Sequence, residues 1–140
     1  MNGKINHLDQ ICSVKKLCYT QGKAKGLNVY LVNNGVLQFE IIVDKCMDIG
    51  QLYSKGTNIS FLSANGLCSF NSEFENIFNG GMLYTCGLDT VGGRKLPIHG
   101  AVHNIPANII SCKCDAERIE VKGEIYQTSL FGDKFKLIRT

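Results

Sequence analysis

The sequence predicts a mostly antiparallel β fold with one short helix, and three observations carry that expectation. Polar and apolar residues alternate with the two-residue period of a half-buried strand, most cleanly over Arg118-Ile119-Glu120-Val121-Lys122-Gly123-Glu124-Ile125-Tyr126. Such runs are short and separated by turn residues, with 15 glycines spread through 140 positions. Only one segment carries helix signals at both ends. The length, with 44% hydrophobic and 19% charged residues, suits a single domain over residues 1–140 and excludes a disordered chain.

In chain order, Ile11-Cys12-Ser13-Val14-Lys15-Lys16-Leu17 reads as a first strand. Leu27–Val32, the turn signal Asn33-Asn34-Gly35 and Val36–Val43 form a β-hairpin. In its second arm Leu37, Phe39 and Ile41 face one way and Gln38, Glu40 and Ile42 the other. Ser72–Phe78 is the helix, with Ser72 as cap, Glu75 at capping-box spacing and Gly80-Gly81 as its stop. Residues 80–107 hold six of the glycines, both prolines and two of the three histidines, so they read as loops on a rigid sheet, where binding groups collect. Asn108–Cys114, Arg118–Tyr126 and Phe135–Arg139 complete the strands.

Charge excludes a nucleic-acid partner. Fifteen basic residues against 12 acidic give a net charge of +3, only Arg94, Arg118 and Arg139 are arginines, and Lys15-Lys16 and Arg94-Lys95 are the only adjacent basic pairs. Apolar runs such as Ile41-Ile42-Val43 are too short for a membrane span or a secretory leader, so the expected setting is cytoplasmic with no membrane partner. There the seven cysteines are expected as reduced, mostly core-filling thiols. Cys112-Lys113-Cys114 lacks the Cys-x2–4-Cys spacing of structural zinc sites, and no metal or other cofactor is expected.

The densest polar cluster is His99-Gly100-Ala101-Val102-His103-Asn104. Gly100 and the nearby Pro106 argue against a helix, whereas on an extended strand positions 99, 101 and 103 share a face and both imidazoles look into one pocket. Imidazole titrates near neutrality, which suits proton donation or hydroxyl binding; the bland alternative is a hydrogen-bonded loop histidine. Cys86 and His99 have the residue types of a nucleophile–base pair, but nothing nearby positions an oxyanion hole. Asp44 and Asp48 could bind sugar hydroxyls or a cation, or accept local backbone hydrogen bonds. Gly80-Gly81 and Gly92-Gly93 lack the Lys-Ser/Thr of a phosphate loop and read as turns or close backbone approach.

Three blocks taken in order, Val43–Gly50, Asn79–Asp89 and Pro97–Gly100 through Asn104–Ala107, resemble the aldose 1-epimerase-like (galactose mutarotase-like) proteins, in a branch catalogued as a domain of unknown function. The resemblance implies part of a galactose-mutarotase-like β-supersandwich that binds a small-molecule sugar, and a cofactor-free isomerase reaction, sugar mutarotation by general acid and base. It implies His99 as the catalytic group in contact with the sugar, and Lys45, Asp48, Thr85, Asp89, His103 and Asn104 as substrate-binding residues. Relatives carry Arg at the positions of Lys45 and Ala101; lysine keeps the charge but not the two-pronged fork. The family's second histidine and C-terminal glutamate have no matching positions, so the chain is expected to be incomplete for catalysis. The match runs out near Leu137-Ile138-Arg139, implying the N-terminal portion of the family pattern, cut within a sheet. Two alternatives stand beside this reading: a non-catalytic carbohydrate-binding β domain, or a truncated product without independent function that self-associates through unpaired sheet edges.

Overall fold

The computed structural model describes residues 3–92 and 97–140. The expected pair Arg94-Lys95 and the second glycine of Gly92-Gly93 lie outside the described residues. Strands β1 (Ser13–Cys18), β2 (Asn28–Asn33), β3 (Leu37–Ile42), β4 (Asp48–Ser54) and β5 (Thr57–Asn58) form one antiparallel sheet in sequential order. A two-stranded pair, β6 (Phe61–Leu62) with β7 (Gly80–Gly81), brackets the single α-helix among the described residues, α1 (Phe74–Ile77). Strands β8 (Asn108–Cys114), β9 (Ile119–Thr128) and β10 (Lys134–Arg139) make a third antiparallel sheet with β9 in the middle. The chain is therefore mostly β, as its patterning predicts. Among the described residues no helix is long and apolar enough to cross a membrane.

The β2–β3 hairpin forms as the turn signal predicts, and the asparagine side chains build it. Asn33 Oδ1 accepts from the Gly35 N–H (2.8 Å), and Asn34 Oδ1 accepts from those of Val36 (3.0 Å) and Leu37 (2.7 Å). The second face of β3 is exposed at Gln38 but covered from Glu40 onward. A register shift against β4 between Phe39 and Ile41 leaves Ile41 and Ile42 both buried, and Glu40 accepts from the Tyr19 hydroxyl (2.8 Å). Strand β9 keeps its predicted alternation: Val121, Gly123, Ile125 and Gln127 are buried, and their neighbours are not.

The helix is shorter than expected. It makes one turn, its cap position is Glu73 without a side-chain hydrogen bond, and neither the Ser72 cap nor the Glu75 capping box forms. A nucleus this short has little stability of its own, so packing fixes it. Phe74 and Phe78 stack with centroids 4.9 Å apart, and Tyr84 meets Phe78 edge-on at 5.0 Å. Gly80-Gly81, expected to stop the helix, becomes β7. The first strand starts two residues later than expected, after a 3-10 turn over Leu8–Gln10.

One core joins the two larger sheets. Val32 and Ile41 come from the first, Val121 and Ile125 from the third, Val43, Cys46 and Met47 from the β3–β4 turn, and Val102 and Ala107 from the segment that leads into β8. Each fully buried aliphatic side chain of this kind contributes roughly 1.5–3 kcal/mol. The cysteines only partly follow the expectation of core filling: Cys12, Cys46 and Cys68 are buried, while Cys18, Cys86 and Cys112 are exposed.

Candidate functional site

The site begins in the turn from β3 to β4. Lys45 N–H donates to Ile42 O (3.1 Å), Asp48 N–H to Lys45 O (2.8 Å) and Cys46 N–H to Ile105 O (3.0 Å). This path requires Cys46 and Met47 in the left-handed region, at φ 57° and 55°, although neither is glycine. Non-glycine residues held there cost on the order of 1–3 kcal/mol each and persist only where surrounding contacts demand it. Asp44 is one such contact, accepting from Asn28 N–H (2.6 Å) and Nδ2 (3.0 Å). It serves the turn, which is the local role allowed for it by the sequence.

The turn delivers Asp48, 1% exposed, as the first residue of β4. Its Oδ2 accepts from the Thr85 N–H (2.8 Å) and lies 2.7 Å from His103 Nδ1. Its Oδ1 accepts from the Thr85 hydroxyl and from Arg139 Nη1 (2.8 Å). Arg139 also donates from Nη1 to Cys46 O (2.9 Å) and from Nη2 to Thr85 Oγ1. One carboxylate thus gathers donors from three other segments. A buried charge is tolerated only when paired and hydrogen-bonded in this way.

His103 does not lie on a strand with His99. Val102–Asn104 is a 3-10 turn that points His103 inward, 2% exposed, toward Asp48. With Nδ1 donating to the carboxylate, Nε2 is buried and has no hydrogen-bond partner among the described residues. Tyr84 stacks on this imidazole, centroids 3.8 Å apart at 21°. Burial is the main reason that the Tyr84 hydroxyl is held well above its ordinary pKa, with the nearby Cys86 and Asp48 adding to the shift.

His99 is half-buried, its ring 3.9 Å from that of Phe74, and Phe74 meets Tyr84 edge-on at 5.9 Å. The two histidines are therefore the ends of one row of rings, His99–Phe74–Tyr84–His103, rather than neighbours in one pocket. Cys86 Sγ lies 3.7 Å from His99 Nδ1. Burial and the Asp48 charge raise the Cys86 pKa, so the thiol stays protonated near neutrality and this pair is a poor thiolate nucleophile.

Gly100 sits at φ +73°, and a Cβ there would stand 2.7 Å from Asp89 Oδ1 and 2.7 Å from Gly87 O, so only glycine fits. Asp89 is exposed; burial would raise its pKa, but hydrogen bonds from Gln127 and the Thr90 and Ala101 backbone outweigh that and lower it. Lys45, 3% exposed, donates from Nζ to Asn104 Oδ1 (2.7 Å). Burial lowers its pKa, with Cys68 and Asp44 opposing. Lys45 and Asp48 are thus enclosed, whereas Thr85, Asp89, His99 and Asn104 keep access to solvent. Among the described residues no cluster of three or more His, Cys, Asp or Glu side chains could hold a metal ion.

A cavity of about 880 Å³ lies between the first and third sheets, walled by residues such as Phe39, Ile41, Val121 and Ile138. None of the sequence-predicted site residues lines it. Arg139 does, and so connects it to the Asp48 network.

A family described as Domain of unknown function (DUF4432) matches residues 24–140. The chain belongs to this family. No curated protein and no solved structure matches it. The DUF4432 match takes in the whole Asp48 network and the row of rings, and leaves out β1. Sequence reading missed Arg139 and the ring row. Arg139 had a visible signal: it continues the inward series Phe135, Leu137 of β10, and a charge on an inward face needs a buried partner. Phe74 and Tyr84 had none, because an aromatic in a short helix or in a loop reads first as filler.

Proposed function

We propose that this chain binds a small sugar beside His99, in the manner of the aldose 1-epimerase-like proteins that its motifs resemble. One observation carries the reading. The three sequence blocks behind the resemblance meet in space, with Asp48 from the first bonded to Thr85 from the second and to His103 next to Asn104 of the third. A sugar site needs fixed donors and acceptors for hydroxyls and an apolar wall for the ring's C–H face. Here Thr85, Asn104 and the exposed Asp89 supply the polar groups, and Phe74 and Tyr84 the wall. His99 is the imidazole offered to the ligand.

Asp48 spends its acceptor capacity on the protein, so it acts on a ligand by orienting Thr85 and His103. Lys45 likewise acts through Asn104. Mutarotation needs one group to protonate the ring oxygen and another to take the anomeric proton. The Cys86 thiol beside His99 is a weak partner for that task, so binding with little turnover is the expected behaviour.

Saturation-transfer NMR over a panel of aldoses and ketoses tests the reading. Contacts weakened tenfold or more by His99→Ala are expected, and polarimetry of freshly dissolved α-aldose should show little acceleration. Absence of any saturable sugar contact overturns the proposal. Fast mutarotation lost in His99→Ala would replace binding alone with an enzymatic function.

A further inference from the structure

Cys12 and Cys114 are 102 residues apart in sequence, and their sulfur atoms are 3.6 Å apart. The Cys12 thiol also donates to Asp115 O (3.1 Å), which seats it against the end of β8. Among the described residues no strand pairing joins the sheet that β1 opens to the sheet that β8 edges. Cys12 and Asp115 both line the cavity between those sheets. The functional reading of the Asp48 network uses neither thiol, and Cys12 precedes the family match.

We propose that Cys12 and Cys114 form an oxidation site, which a low-molecular-weight disulfide such as glutathione disulfide converts into a cross-link between the two sheets. Cys114, the less buried of the two, loses its proton and its sulfur attacks the glutathione disulfide, releasing one glutathione as thiol. Cys12 then loses its proton and attacks the mixed disulfide at Cys114, releasing the second glutathione. The protein gives up two electrons and two protons, and one glutathione disulfide becomes two thiols. Sulfurs already in van der Waals contact need only small side-chain rotations to reach the bonded distance of about 2.05 Å.

The site is slow by construction. Burial, with Cys12, Cys112 and Asp115 alongside, pushes the Cys114 pKa up to about 11, so few molecules carry the thiolate at neutrality. The rate of linkage is expected to rise about tenfold per pH unit between pH 7 and 9. Closing so long a loop restricts the unfolded chain, and the linked form is expected to melt roughly 5–15 °C higher than the reduced form.

The test is to incubate the 140-residue chain with excess glutathione disulfide at about pH 8.5, alkylate remaining thiols and map peptides without reduction. The expected product is a Cys12–Cys114 peptide pair, lost on adding dithiothreitol. Cys12→Ser and Cys114→Ser should each abolish both the pair and the rise in melting temperature; Cys112→Ser should keep both. Should either single variant fail to fold, the wild-type peptide map decides. A dominant link elsewhere, or Cys114 stopping as a glutathione adduct while Cys12 stays open to alkylation, overturns the proposal. An unchanged or lower melting temperature in the linked protein overturns the stapling role.

Discussion

Asp48 shows how much one side chain can organise. Replacing it with Asn keeps the shape but turns one acceptor into a donor facing Thr85, His103 or Arg139, and leaves the Arg139 charge without its partner. Breaking a buried pair from one side costs roughly 3–5 kcal/mol, and with Arg139 partly exposed the lower end, about 3 kcal/mol, is expected as a reduced urea midpoint. A second effect belongs to Cys46, whose side chain is enclosed. Burial pushes its pKa from 9.0 up to about 11, against the opposing pull of the Arg139 charge. A group whose pKa is raised on folding adds stability that is complete below its unfolded value and drains away as pH climbs through its folded value. Stability should therefore fall between pH 9 and 11, and Cys46→Ala should flatten that fall in urea titrations at pH 8 and pH 10.5. The sequence made Asp48, Thr85 and His103 visible as candidates but not their division of labour. Which of three polar residues touches solvent depends on chain segments far away, and neither period nor motif encodes that.

Among the elements, strands with one buried face were readable and strands defined by their neighbours were not. Strand β9 announces itself because Ile119, Val121 and Ile125 alternate with polar residues. Strand β4, Asp-Ile-Gly-Gln-Leu-Tyr-Ser, has no such rhythm; it exists because the left-handed turn at Cys46 and Met47 returns the chain along β3. The helix was readable in place but not in length, since its aromatic residues serve the ring row rather than a helical face. Strand β9 also carries a test of how closely the sheets approach. A Cβ at Gly123 would stand 2.4 Å from Met47 Sδ and 3.2 Å from Asn108 O. Overpacking of this kind costs about 1–3 kcal/mol, so Gly123→Ala should lower the melting temperature by several degrees. Gly123→Ala combined with Met47→Ala should recover part of that loss, measured by differential scanning calorimetry.

At the scale of the whole molecule, the contacts that unite the sheets are remote along the chain. Asp48 reaches 37 residues forward to Thr85, 55 to His103 and 91 to Arg139. Contacts of such separation carry a loop-closure cost before they return any stability, whereas the β2–β3 hairpin closes locally. The network is therefore expected to form after the local hairpins. In stopped-flow chevrons, Asp48→Asn should speed unfolding by about two orders of magnitude and change refolding by less than about threefold. Refolding slowed in proportion to the lost stability would place the carboxylate in the folding nucleus instead. The charge centre that looks like the heart of the fold is then its last fastening, and it governs how long the native state survives rather than how quickly it is found.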